Sequence, residues 1–199
     1  MKPSIGDQAS GGTGCCAGGA GTSLKTGGTM DSLERWRLKM VLPWLRGYTC
    51  DLGCGYNNLL RNYAGQGVGV DVHPWPGVDV LIQDACKLPF DDGSFDTLTI
   101  LAALNHFPDR PGALREICRV LKPDGRFVFT MIGPLTGIVA HILFRKDETE
   151  RGGMETGEKP GLGRREILGL LENAGFRLVK RIPFQLGLNA VYVAEKQHR

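Results

Sequence analysis

Apolar positions change period along the chain. Leu33, Trp36, Met40, Val41, Trp44 and Leu45 recur at the spacing of one helical face. Asp31, three residues before Glu34, has the form of a capping box with Asp in the Ser/Thr place, so the helix is expected to start there. Pro43 should end or distort it, and the tryptophan stripe is expected to pack in the core. After Gly47 the pattern becomes short apolar runs separated by turns. Strands are expected at Tyr48–Leu52, Gly67–Val72, Val78–Ile82, Thr97–Leu101 and Arg126–Met131, then at Arg177–Ile182 and Ala190–Ala194. Helices are expected at Asn57–Ala64, Pro111–Leu121 and Arg164–Ala174, the last closed by Gly175. Lys122–Gly125, "KPDG", reads as a turn. Short apolar strands alternating with helices predict a mostly parallel sheet covered on both faces.

The two ends of this pattern differ from its middle. Residues 1–30 carry nine glycines and few large apolar groups, which predicts a disordered tail, with Met30 an alternative start. Residues 31–199 then form one domain. Residues 133–163 are longer than an ordinary connection, which suggests a lid or an acceptor site. The chain is 42% apolar and 23% charged with net charge +3, ordinary for a globular protein and without the clustered basic residues of a nucleic-acid surface. No apolar run approaches the roughly 20 residues of a membrane span, and the first 30 residues hold no signal-like apolar stretch. Cys50, Cys54, Cys86 and Cys118 form no CxxC pair. They are expected to be reduced, mostly buried thiols in a cytoplasmic protein, with no metal site.

The chemistry concentrates in "TCDLGCGYNNLL", residues 49–60. Gly53 and Gly55 follow the first strand, where open α/β sheets bind ligands. Asp71 ends the second strand, twenty residues after Asp51, where an acid can accept hydrogen bonds from ribose hydroxyls. The dinucleotide fingerprint needs a third glycine where this chain has Asn58, and its pyrophosphate would be repelled by Asp51. An adenosine ligand with a cationic tail fits better, and S-adenosylmethionine is such a ligand. A nicotinamide-dependent oxidoreductase is the enzyme alternative. A non-catalytic module that binds S-adenosylmethionine is the other.

Four ordered stretches carry a resemblance. "CDLGCGYNN", "GVGVDVHP", "IQDACKLPFDDGSFDTLTILAALNHF" and "LREICRVLKPDGRFVFT" resemble the motifs of class I S-adenosylmethionine-dependent methyltransferases, and "GLGRREILGLLENAGFRLVKR" resembles the family's last helix and following strand. The resemblance implies a doubly wound, Rossmann-like, mostly parallel seven-stranded sheet with the last strand antiparallel. It implies that Asp51, Gly53 and Gly55 hold the methionine end of the cofactor. Asp71, with Val72 beside it, would bind the ribose. Asp84 and Ala85 would meet the adenine, and Leu101 with Ala102 would line the opposite side. S-adenosylhomocysteine would be the product. The family often has glycine at the place of Asn57; asparagine tolerates positive φ, so the turn should survive.

Asn105-His106 follow the fourth strand, at the edge where an acceptor should sit, so His106 is the candidate general base. Trp75 stacks near the adenine or packs on the surface. Asp91–Asp96 reads as a solvated turn. His141 lies in an apolar stretch, and Arg145–Arg151 is a charge run that includes Glu150. The chain after the fourth strand reads "LAALNHFP", without the Asn/Asp-Pro-Pro-Tyr motif of nucleobase amino methylation and without a Pro-Cys nucleophile. Those features argue against a nucleic-acid acceptor. The expected reaction is methyl transfer to an O, N or C nucleophile of a small or lipid-like molecule.

Overall fold

The fold is that of a computed structural model, which describes residues 30–133 and 161–197. The expectations for the residue 1–29 tail, for residues 134–160, and for His141 and Arg145–Arg151 lie outside the described residues.

Helix α1 spans Ser32–Val41, and Asp31 caps it by accepting the Glu34 N–H at 2.6 Å. Only half of the capping box forms, because the Glu34 carboxylate accepts from Asn58 Nδ2 at 2.9 Å instead. A 3₁₀ turn at Leu42–Trp44, with Pro43 inside it, ends the helix. The expected tryptophan stripe needs correction. Leu38, Val41 and Leu45 are the buried residues, while Leu33 is 55% and Trp36 43% exposed. The sheet meets only the carboxyl-terminal half of that face, so the first turn overhangs it.

The strands are β1 Thr49–Leu52, β2 Gly67–Asp71, β3 Val80–Leu81, β4 Phe95–Leu101, β5 Leu121–Ile132, β6 Phe176–Phe184 and β7 Asn189–Lys196. The helices are α2 Asn58–Asn62, α3 Arg110–Val120 and α4 Arg164–Asn173. One seven-stranded sheet has the order β3-β2-β1-β4-β5-β7-β6, with β7 antiparallel to both its neighbours and the remaining pairs parallel. The order reverses between β1 and β4, which opens a crevice at the carboxyl ends of the strands. The "KPDG" turn lies within β5 as a bulge. Pairing passes from Leu121 opposite Phe95 to Arg126 opposite Thr97, so Lys122–Gly125 leave the ladder.

Strand alternation supplies two cores. Phe127, Phe129, Met131, Ala190, Tyr192 and Ala194 point to one face, where Leu114, Ile117, Ile167 and Leu171 of α3 and α4 cover them. Val128, Val191 and Val193 point to the other, under Leu38 and Val41 of α1 and Leu59 of α2. Gly175 closes α4 at φ +83°, donating its N–H to Glu172. Asp91 and Asp92 are exposed, as a solvated turn requires, while Asp96 is half-buried in β4. Asp92 pairs with Arg119, and Asp96 takes both Lys122 and the Tyr48 N–H. No helix among the described residues is long and apolar enough to cross a membrane.

Candidate active site

β1 ends at Leu52, and the chain then turns through three left-handed residues: Gly53 at φ +77°, Gly55 at +52° and Asn57 at +58°. The Gly53 and Cys54 N–H groups both donate to Val70 of β2, which folds the turn back over the sheet edge. A Cβ on Gly53 would stand 3.1 Å from the Ala103 Cβ, so the turn lies against the segment after β4. A Cβ on Gly55 would meet nothing within 4 Å, so this glycine borders open space.

Asn57 does here what a glycine would do for the backbone, and adds a side-chain anchor. Its Nδ2 donates to the Gly77 carbonyl at 2.9 Å and to Asp79 Oδ2 at 3.3 Å. Asp79 also accepts the Gly69 N–H at 2.7 Å. A Cβ on Gly69 would lie 2.6 Å from Asn57 Nδ2, so this strand residue must be glycine for the amide to fit.

Two carboxylates sit beneath and beside the turn. Asp51 is 2% exposed, and Thr99 Oγ1, its register partner on β4, donates to it at 2.5 Å. Burial raises its pKa to about 7; the Thr99 bond opposes that shift and the Asp71 charge adds to it. Among the described residues no lysine or arginine pairs with Asp51. Asp71 is also buried, and its two oxygens accept the Gly55 N–H at 2.9 Å and the His73 N–H at 3.0 Å. The carboxylate therefore ties the end of β2 to the glycine turn, and each oxygen has a further lone pair beyond that bond. The Cys54 thiol is held protonated by burial and by Asp51, Asp71 and Asp79. A site with this excess of acid favours a cationic ligand group.

The strand order brings the other expected residues to the same edge. Val72 follows β2 and is 62% exposed. Asp84 and Ala85 follow β3; Asp84 is exposed and accepts the Cys86 N–H at 2.8 Å, capping its own loop, while Ala85 is half-buried. Leu101 ends β4, half-buried, and Ala102 adopts φ +55° with its N–H on Thr130 Oγ1 at 3.0 Å. A left-handed alanine is a strained feature at the place where the chain passes the glycine turn. His106 is exposed at the end of a 3₁₀ turn, Leu104–His106, with Nε2 3.1 Å from Asn105 Nδ2. Arg110 Nη2 donates to the Asn105 carbonyl and fixes that turn to α3. Trp75 packs 4.4 Å from the His73 ring and 5.4 Å from Tyr56, an aromatic group just beyond Asp71.

Thr99, Asp79 and Thr130 escaped the sequence reading. Their signal was a polar residue at a strand or strand-end position otherwise apolar, and only register gives each its partner. Cys50 and Cys54 are buried and Cys86 and Cys118 half-buried. Among the described residues no group of His, Cys, Asp and Glu could hold a metal. A cavity of about 520 Å³ lies at the opposite sheet edge, bordered by Arg115, Cys118, Pro123 and Lys196, away from the glycine turn.

Known proteins share this fold and this stretch of sequence. Residues 50–129 match the family described as a methyltransferase domain. Over that stretch the chain is similar to methyltransferases, and its fold is that of proteins that use S-adenosylmethionine as methyl donor. It is 31% identical over 134 residues to a demethylmenaquinone methyltransferase of Bacillus cereus, covering 60% of this chain and 56% of that one. The chain thus spans little more than half the length of the curated relatives it matches. Among solved structures it resembles an S-adenosylmethionine-dependent methyltransferase of Thermotoga maritima, described as a possible histamine N-methyltransferase. That likeness has a TM-score of 0.62 at 20% identity and covers 83% of this chain and 95% of the other. The cyclase SpnF resembles it equally, with a TM-score of 0.62 at 20% identity over 83% and 82% of the two chains. These likenesses concern the fold.

Proposed function

We propose that the chain transfers a methyl group from S-adenosylmethionine to an O, N or C nucleophile of a small or lipid-like molecule, in the cytoplasm. The observation that carries the reading is the buried Asp51–Thr99 pair under a left-handed Gly-x-Gly-x-Asn turn whose Gly55 N–H is bound by Asp71. The donor set fits the cofactor's chemistry: acid for an ammonium, backbone and acid for a ribose, and half-buried apolar residues for a ring.

In this reading Asp51, Gly53 and Gly55 hold the amino-acid end. Asp71, beside Val72, takes the ribose hydroxyls. Asp84 accepts from the adenine amino group, with Ala85 and Leu101 against the ring. The bound cofactor supplies a methyl group already electrophilic on a sulfonium. The chain's own residues therefore have three tasks: aligning the acceptor, excluding water and taking a proton where the acceptor carries one. His106 is the residue for the last task, and Asn105 sets the orientation of its ring. The name of the Bacillus cereus relative supports an acceptor of the quinone kind over a nucleic acid. A non-catalytic binding module remains the reading to separate.

A ligand panel tests the assignment. S-adenosylmethionine and S-adenosylhomocysteine should raise the melting temperature, and NAD should leave it unchanged; stabilisation by NAD alone would refute the reading. His106→Ala should keep cofactor affinity and lower turnover at least tenfold, since general bases contribute about that or more. Unchanged turnover would remove the base role.

A further inference from the structure

The hairpin joining β6 to β7 ends in a turn that exposes apolar side chains. Leu186 is 97% and Leu188 52% exposed. Gln185 and Leu186 both hold left-handed backbone, at φ +51° and +58°, which favours glycine or asparagine. The tip is joined to the overhanging first turn of α1. Gln185 Nε2 donates to the Leu33 carbonyl at 3.2 Å, and the Trp36 ring meets Phe184 edge-on at 6.3 Å. Leu33 and Trp36 on α1 and Leu186 and Leu188 on the hairpin are therefore exposed apolar side chains of two joined elements, closer together than scattered ones on an ordinary surface.

Cations border it. Arg35 and Lys39 are exposed on α1, with Lys39 three residues beyond Trp36 and so on the same helical face. The acids of the same helix are held at its amino end, Asp31 as the cap of α1 and Glu34 against Asn58. The patch also lies on the edge that carries the candidate active site. Ile132 at the end of β5 pairs with Asn189, and Glu34 ties α1 to the start of α2 beside the glycine turn.

We infer that this patch docks the protein on an anionic lipid surface, with Leu186, Leu188, Leu33 and Trp36 entering the interface and Arg35 and Lys39 at the headgroups. An interfacial site of this composition needs no membrane span: apolar side chains enter the headgroup boundary and lysine or arginine meets anionic lipid. Docking turns the carboxyl edge of the sheet toward the bilayer, so an apolar acceptor could reach the site without crossing water.

Co-sedimentation of the full chain with vesicles tests this without donor or acceptor, so its outcome is independent of the methyl-transfer reading. Vesicles of phosphatidylcholine with about 30% phosphatidylglycerol should carry the protein down, and pure phosphatidylcholine should carry several-fold less. Leu186→Asn with Leu188→Ser should cut the partition coefficient roughly tenfold or more, since burying a leucine is worth at least that. The asparagine suits the backbone at position 186, and an unchanged melting temperature or a higher one shows that the fold is kept. Arg35→Gln with Lys39→Gln should cut partition about fivefold per cation, with the same loss on raising salt. Wild-type protein left in the supernatant with anionic vesicles would overturn the proposal, as would the leucine variant sedimenting like wild type. A dimer in sedimentation velocity that the leucine variant dissolves would assign the patch to a second copy of the chain instead.

Discussion

Two turns at the same edge of the sheet use left-handed backbone, and they use it differently. After β1 the left-handed positions are Gly53, Gly55 and Asn57, each a residue type that adopts the conformation at little cost. In the β6–β7 hairpin they are Gln185, Leu186 and Gly187, two of them ordinary side chains, at about 1–2 kcal/mol each. The first turn is closed by hydrogen bonds to Val70, Gly77, Asp71 and Asp79. The second holds a leucine out in solvent. Matched residues and dense bonding mark a turn shaped around backbone donors and carboxylates. Strain and exposed apolar surface mark a turn selected for what it touches outside the fold.

The largest expected effect lies at Asp51. Its folded pKa, about 7, exceeds the 3.8 of a free side chain, so the folded protein holds an extra proton between those values. Stability of the ligand-free protein should therefore fall as pH rises from about 4 to 7, by at most on the order of 4 kcal/mol, and level off above. Denaturant melts across that range should show the slope, and Asp51→Asn should flatten it. A cationic ligand prefers the ionised form, so its affinity should strengthen with pH over the same interval. Next is Asp71→Ala, which removes a charged acceptor from Gly55 and His73 and from the ribose. It should weaken S-adenosylmethionine binding about a hundredfold by titration calorimetry while the chain stays folded.

Smaller effects compare the turns directly. Gly53→Ala places a Cβ against Ala103 at φ +77° and should cost about 1–3 kcal/mol in chemical denaturation. Leu186→Asn should do the opposite and stabilise by about 0.5–1 kcal/mol, because asparagine accepts the same backbone. Equal signs for the two changes would mean that the turns do not differ in strain.

The turn after β1 was legible because glycine and asparagine mark left-handed backbone. The acids at two strand ends were legible as positions, and their ligand is the proposal made from them. The alternation of strands and helices predicted the strands and α-helices to within a few residues, except that β5 begins at Leu121, before the expected turn. Thr99 was invisible because a threonine inside "TLTI" looks like any β-branched strand residue until register sets it opposite Asp51. Trp36 was misread because helical periodicity gives a face but not the length of sheet beneath it. The hairpin tip carries no motif; its character comes from φ angles and exposure, which one sequence does not encode locally.

The central claim is that the turn after β1 is a cofactor cradle closed by Asp71. Titration calorimetry of the full chain with S-adenosylmethionine and S-adenosylhomocysteine, wild type beside Asp71→Ala, tests it most directly. The account predicts a wild-type Kd on the order of micromolar for at least one of the two, lost in the variant. A folded wild-type protein that binds neither, or a variant that binds as tightly as wild type, would contradict it.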